Sequence, residues 1–318
     1  MNTTLTPITD QADIRDRILW ATLTEPLDTI ATTHANSLGI NAALAAVLNP
    51  TYSAQDATHD AETTITAADL TRLRTRTPLI STPRAITSTI DRALATMDET
   101  NAVMIDAPSV PALADLGTQA PATLWVRGNL AALTNPVAIS ITGARAATGY
   151  GEHQTHEFAT HLALRGATIH SGLGYGIDGQ AHRSALAAGG STVAWLPCGI
   201  DRIYPAGHTQ LANAIATGQS ALVSETAPGT TPTRWRFQAR QRLLAAATPA
   251  TLIIEAGYRS GSLTTAAHAL TLGRHVAAIP GPLTSPASEG CHRLIKDHQA
   301  ALTTTPSDLH PHLTFPTA

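Results

Sequence analysis

The sequence predicts an α/β protein: a mostly parallel sheet with helices on both faces, preceded by a small all-helical N-terminal unit. Three observations predict it. Short apolar runs such as Val137 to Ile141 and Thr192 to Leu196 recur through the chain, as buried parallel strands do. Gly-rich turns close two of them, at Gly143 and from Gly172 to Gly179. Stretches with helical spacing separate the runs, and such alternation implies right-handed crossovers between parallel strands.

The elements follow in order. Residues 1–10 are polar and read as frayed. From Asp13 to Leu48 the apolar positions (Ile14, Ile18, Leu19, then Leu38, Ile40 and Ala42 to Leu48) predict two or three helices broken near Pro26. Residues 64–74 add a helix capped at Thr66, and the Thr-rich stretch from Thr51 to Thr77 is the expected boundary region. Ile86 to Met97 is an amphipathic helix. Ala102 to Ile105 and Thr123 to Val126 are strands flanking a helix at Val110 to Leu116.

The organising stretch is residues 137–182: strand, Gly turn, helix from Glu152 to Leu164, strand from Ala167 to His170, Gly-rich turn, helix to about Ala188. Later helices are expected at Thr209–Ala216, Gln238–Ala247, Leu263–Leu272 and Cys291–Asp297. The strands among them are Thr192–Leu196, Ala221–Ser224, Leu252–Ile254 and Val276–Ile279, with an edge strand near Leu302. This gives a helical unit with linker at 1–85, an α/β core at 86–306 and a short tail at 307–318. Helices that start just after parallel strands turn backbone N–H groups to the carboxyl edge of the sheet. There they favour an anion, most simply a phosphate.

Composition narrows the function classes. Charged residues are only 14% of the 318, the net charge is −3, and Lys296 is the one lysine. The surface as a whole will not attract a polyanion, so any such site is a local patch. Cys198 and Cys291 lack metal-type spacing and read as two free thiols in a reducing cytosol. No metal or cofactor is expected. No apolar run approaches the roughly 18 residues of a membrane span, and no leader pattern opens the chain.

Four features could carry chemistry. Gly174-Tyr-Gly176-Ile-Asp-Gly179 fits G-x-G-x-x-G, with Asp201 downstream where a dinucleotide ribose would want it. It follows the second strand of the unit, however, and the glycines also suit a tight turn. Asp178 and His182 share a helix face, but no nucleophile accompanies them, so a dipole partner and a satisfied neighbour are the simpler reading.

In the run from Arg234 to Arg242, four arginines fall within nine residues around Trp235 and Phe237. No acidic residue occurs between Glu225 and Glu255. Guanidinium forks match phosphates and aromatic faces stack bases, so this patch points to nucleic acid. Finally, Ser260, Gly261 and Ser262 open a helix after another strand, a further anion-receptive turn.

Taken together these residues resemble the DNA-processing protein A family, also called Smf. The shared run is T-G-A-R at 142–145, S-G-L-G-Y-G-I-D at 171–178 with A-H at 181–182, and G-G-S-T-V-A at 189–194. It continues with Y-P at 204–205, S-E at 224–225, F-Q-A-R-Q-R at 237–242, E-A…S-G-S-L-T-T-A at 255–266, G-R at 273–274, P-G at 280–281 and G-C-H-R-L-I at 290–295. The resemblance implies an extended Rossmann-like fold behind a SAM-like helical unit, single-stranded DNA binding, RecA loading, a homodimer, a cytoplasmic location and no catalysis. It places phosphate at Gly143 and Arg145, completes that pocket with Ser171, Gly172, Gly176 and Asp178, and assigns base stacking and backbone grip to Phe237, Arg240 and Arg242. Arg234 takes the upstream basic position.

Gln238, Gln241, Gly174 and His292 depart from the family's Pro, Asn, Ala and Asn. The winged-helix module frequent in the family is not expected here. Two other readings compete: a nucleotide-binding or nucleotide-cleaving Rossmann enzyme, and a specialised sensor of DNA or nucleotide.

Overall fold

The computed structural model describes residues 3–49, 51–52, 66–75, 80 and 82–315. Most of the Thr51–Thr77 boundary region lies outside them. Among the described residues five helices come first: α1 (Gln11–Leu23), α2 (Thr29–Leu38), α3 (Ile40–Leu48), α4 (Ala67–Arg74) and α5 (Pro83–Thr100). Asp10, Asp28, Thr66 and Thr82 cap α1, α2, α4 and α5 with side-chain oxygens, each satisfying a first-turn N–H that has no helical partner. The expected fraying before α1 is not found in residues 3–10. Ile8 N–H donates to Met104 O at 2.8 Å, and Leu5 is buried.

Nine strands form one sheet in the order β1-β2-β6-β5-β4-β3-β7-β8-β9. They are β1 (Ala102–Asp106), β2 (Thr123–Gly128), β3 (Ala138–Thr142), β4 (Thr168–Ser171), β5 (Thr192–Leu196), β6 (Ala221–Ser224), β7 (Ala250–Ile253), β8 (His275–Ala278) and β9 (Ala301–Leu302). β1 and β2 run antiparallel at one edge, and all pairs from β6 to β9 are parallel. The helix expected at Val110–Leu116 is instead a pair of 3-10 segments within Pro111–Gln119, broken where Gly117 turns to φ +53°.

The remaining helices are α6 (Gly149–Leu164), α7 (Ile177–Ala187), α8 (Thr209–Ile215), α9 (Arg234–Ala246), α10 (Ser262–Thr271) and α11 (Glu289–Lys296). Alternate strand residues feed opposite layers, as a pleated strand buried on both faces requires. Ala194 and Leu196 of β5 pack with α8 and the N-terminal helices, while Val193 and Trp195 pack with α9. Leu252 of β7 joins α6 and α7, and its neighbour Ile253 joins α10 and α11. The apolar cluster under α1–α3 and α5 continues into the sheet face without a break.

Both cysteines are free and buried, and burial pushes each thiol up to about 12. Thiolate is the reactive form. A thiol-reactive dye should therefore label neither cysteine in the native protein and both in denaturant; fast native labelling of either would contradict the packing. Among the described residues no helix is long and apolar enough to cross a membrane.

Candidate functional site

The sheet order creates a switch point. The chain leaves β3 for β4 on one side, while β7, which pairs with β3 on the other, leads away to β8. Open α/β sheets bind ligands outside the carboxyl ends of strands at such a point. Here it receives the turn with Gly143 and Arg145 after β3, the turn from Ser171 to Gly176 after β4, and the turn with Ser260, Gly261 and Ser262 after β7. The first turns of α9 cross in front of it. Arg145 is exposed, and its guanidinium lies 4.6 Å from the centroid of the Phe237 ring. Tyr204, from the loop after β5, meets Phe237 edge to face at 5.5 Å.

Arg240 lies one turn further along α9, 5% exposed, with its guanidinium against Gly172. A Cβ at Gly172 would stand 2.0 Å from Arg240 Nη1, so glycine is what admits the guanidinium. Gly176 is fixed for another reason: its φ is +68°, and a Cβ there would meet Ala144 O at 2.3 Å. Burial lowers the Arg240 pKa, with the Asp178 charge acting the other way and Arg145 adding to the lowering. Arg240 makes no hydrogen bond to any described residue, and its Nε is buried without a partner. A buried, unpaired cation is costly, and an arriving anion would relieve it.

Protein carboxylates stand near two of the helix starts. The N-terminus of α6 is already occupied by a protein carboxylate: Thr148 donates to Glu255 through N–H (3.0 Å) and Oγ1 (2.6 Å). At α7 the Asp178 carboxylate accepts from Thr142 Oγ1 (2.8 Å) and Gly174 N–H (3.2 Å). Glu255 thus occupies the Thr148 cap of α6, and Asp178 engages the turn before α7 without capping that helix. The Ser171 side chain has a partner inside the fold. Its hydroxyl is buried and donates to Ile141 O at 2.6 Å, tying β4 to β3. Ser260 and Ser262 hydroxyls lie 2.7 Å apart at the α10 start, Ser262 buried and Gly261 exposed.

The arginine patch divides. Helix α9 begins at Arg234 rather than Gln238, with Thr233 as its cap, so all four arginines are helical. Arg234 is exposed beside Trp235. Arg236 is held by Glu25 (3.0 and 2.7 Å) and by Thr231 O (2.6 Å). Arg242 leaves the rim altogether. Its side chain is 1% exposed, paired to Glu225 at 2.8 and 2.6 Å, and donates to Gln119 O and Ala239 O. The counter-charges absent from the local sequence of this helix come from Glu25 and Glu225.

Other sequence readings find simple places. His182 is buried and neutral, its Nδ1 2.7 Å from Thr192 Oγ1, so it forms no pair with Asp178. Asp201 accepts from Gly229 N–H at 2.7 Å, which engages the group a dinucleotide ribose would need. Gln241 accepts from Thr265 Oγ1 and ties α9 to α10; His292 Nε2 sits against Gly281 N and O at 3.3 and 3.0 Å. A cavity of about 490 Å³ lies elsewhere, between α1, α2, α5 and the loop before α9. Of its charged lining, Glu25–Arg236 and Glu225–Arg242 are already paired, and Asp28, Arg92 and Arg202 also face it.

Sequence reasoning missed the aromatic arc. The five exposed aromatic side chains among the described residues are Tyr150, Tyr175, Tyr204, Trp235 and Tyr258. They sit on the segments after β3, β4, β5, β6 and β7 respectively, all at the carboxyl edge of the sheet.

Fold and site define an extended Rossmann-like α/β protein with an arginine- and aromatic-lined rim at its strand ends. The chain belongs to the DNA recombination-mediator protein A family, whose sequence model matches residues 101–314. It is 39% identical to Protein Smf of Escherichia coli over 245 residues, covering 76% of this chain and 64% of that one. It is 49% identical over 191 residues to a DprA sequence of Mycobacterium tuberculosis, covering 59% of this chain and 48% of the relative. The chain thus spans about half to two thirds of the length of these relatives.

Among solved structures, DNA processing protein A of Streptococcus pneumoniae superposes with a TM-score of 0.69 at 26% identity, covering 98% of this chain and all of that one. DNA processing protein A of Helicobacter pylori, whose single-stranded DNA binding mode that structure concerns, gives a TM-score of 0.58 at 29% identity over 62% of this chain and 89% of its own.

Proposed function

We propose that this protein is a non-catalytic single-stranded DNA-binding protein that protects unpaired DNA and delivers it to a RecA-type recombinase, acting in the cytoplasm as a homodimer. The observation that carries the binding part is Arg240, a buried guanidinium without a hydrogen-bond partner, beside exposed Arg145 and the Phe237 ring. Guanidiniums take the phosphates, and the aromatic arc stacks unpaired bases, which a duplex keeps inside its own stack. The single-stranded DNA described for the Helicobacter pylori relative supports the same ligand. The recombinase part rests on the family's mediator character, and the homodimer is what the resemblance of the motifs implies.

The test is a titration with labelled oligo-dT. Arg145→Ala should weaken binding and reduce the salt slope by about one phosphate contact. Phe237→Ala should weaken it roughly 5- to 100-fold with the slope unchanged, the loss of one stacked base. If both variants bind like the parent, the proposal fails.

A further inference from the structure

We propose that Tyr258 and Arg293 form a second base-stacking subsite for single-stranded nucleic acid, on the β7 side of the rim and separate from Phe237. This rests on the binding function proposed above. Tyr258 follows β7 and is 60% exposed, the most open aromatic ring among the described residues. The Arg293 guanidinium, from α11, lies 4.9 Å from the ring centroid and covers one face. At that exposure the ring keeps open surface beside the face that Arg293 covers. A base laid on it would complete a base–tyrosine–guanidinium stack, in which the cation also draws on the ring's negative face.

The platform is held ready. Ala256 N–H donates to Ala287 O at 2.7 Å, and Gly290 N–H donates to Ala256 O at 2.7 Å. These two bonds fix the turn that carries Tyr258 to the start of the helix that carries Arg293. Ser260 N–H donates to Gly257 O at 3.0 Å and closes the turn on its other side. A backbone held on both sides of Tyr258 leaves only the side chain to order when a base arrives, which favours binding. Exposed Arg259 and the Ser260–Ser262 turn lie next to it and suit the adjoining phosphate.

Position gives the subsite its signature. Phe237 sits with Tyr204 of the β5 loop and Arg145 of the β3 turn, whereas Tyr258 lies beyond β3, across β7. One strand of sufficient length reaches both, and a very short one fills only the Phe237 end. The experiment uses oligo-dT of about 4 and about 12 nucleotides, within the site sizes seen for single-stranded DNA binders.

Tyr258→Ala should lower affinity for the longer oligomer roughly 5- to 100-fold, leave the shorter one unchanged and keep the salt slope. Tyr258→Phe should retain the parent affinity. In a Trp235→Phe background, Tyr258→Trp should show tryptophan quenching with the longer oligomer only. If Tyr258→Ala binds the longer oligomer within two-fold of the parent while Phe237→Ala is weakened, the subsite is wrong and the binding function stands. If the parent binds no oligomer, both fall.

Discussion

Replacing Arg242 by alanine is expected to destabilise the protein by about 3–5 kcal/mol, because it strands a buried charge. The Glu225 carboxylate, whose side chain is 4% exposed, loses both of its 2.6–2.8 Å partners, and the carbonyls of Gln119 and Ala239 lose their donor. The midpoint of urea unfolding should fall accordingly, and Tm on the order of 10 °C. Glu225→Gln in the same chain should recover part of the loss, since it removes the stranded charge. At a temperature where the variant is folded, its affinity for oligo-dT should stay within about two-fold of the parent. This separates Arg242 from its neighbour Arg240 two residues earlier. A loss below about 1 kcal/mol, or a selective loss of DNA binding, would contradict the place given to Arg242.

Acidification is expected to cost a comparable amount. His170 and His182 are fully buried, and desolvation pushes both down to about 3, with neighbouring positive groups adding to the shift at His182. Unfolded histidine takes its proton near 6.5. Between about 6.5 and 3 the unfolded chain therefore holds protons that the folded chain refuses. Stability from these two residues is complete above 6.5 and is lost as pH falls, by about 1.4 kcal/mol per pH unit for each.

At pH 5 the two together cost on the order of 4 kcal/mol by the same relation. His34, His268, His275 and His310 are shifted the same way and add to the trend. A Tm series from pH 7.5 to 5 should fall steadily, and His182→Asn should flatten it. A Tm independent of pH over that range would contradict the burial of these imidazoles.

Much of this was legible in the residues. The strand–Gly turn–helix unit from β3 to α7 is written in local spacing, and so is the arginine-rich helix. What spacing cannot show is which residue faces which across layers. Glu25 lies 211 positions from Arg236, yet it supplies that arginine's carboxylate. Glu255 fills the α6 start across 107 positions, where a helix dipole alone suggested a ligand.

The aromatic arc was hidden for a related reason. Tyr175, Tyr204 and Tyr258 lie in separate loops, with no common period to reveal them. The one available signal was that each comes soon after an apolar run, where a parallel sheet presents its ligand edge. Ser171 and Arg242 carry a residue type that suits ligand contact, but their partners turn out to be backbone and carboxylate inside the fold.

Trp235 offers the most direct test of the rim. It is 50% exposed in the first turn of α9, whereas Trp20, Trp125 and Trp195 are buried. Titrating oligo-dT while following tryptophan emission should quench it at the concentrations where a labelled oligomer binds. Trp235→Phe should abolish the change, and duplex DNA should produce far less of it. Oligo-dT binding with the emission of Trp235 unmoved would place the nucleic acid on another face and contradict the account.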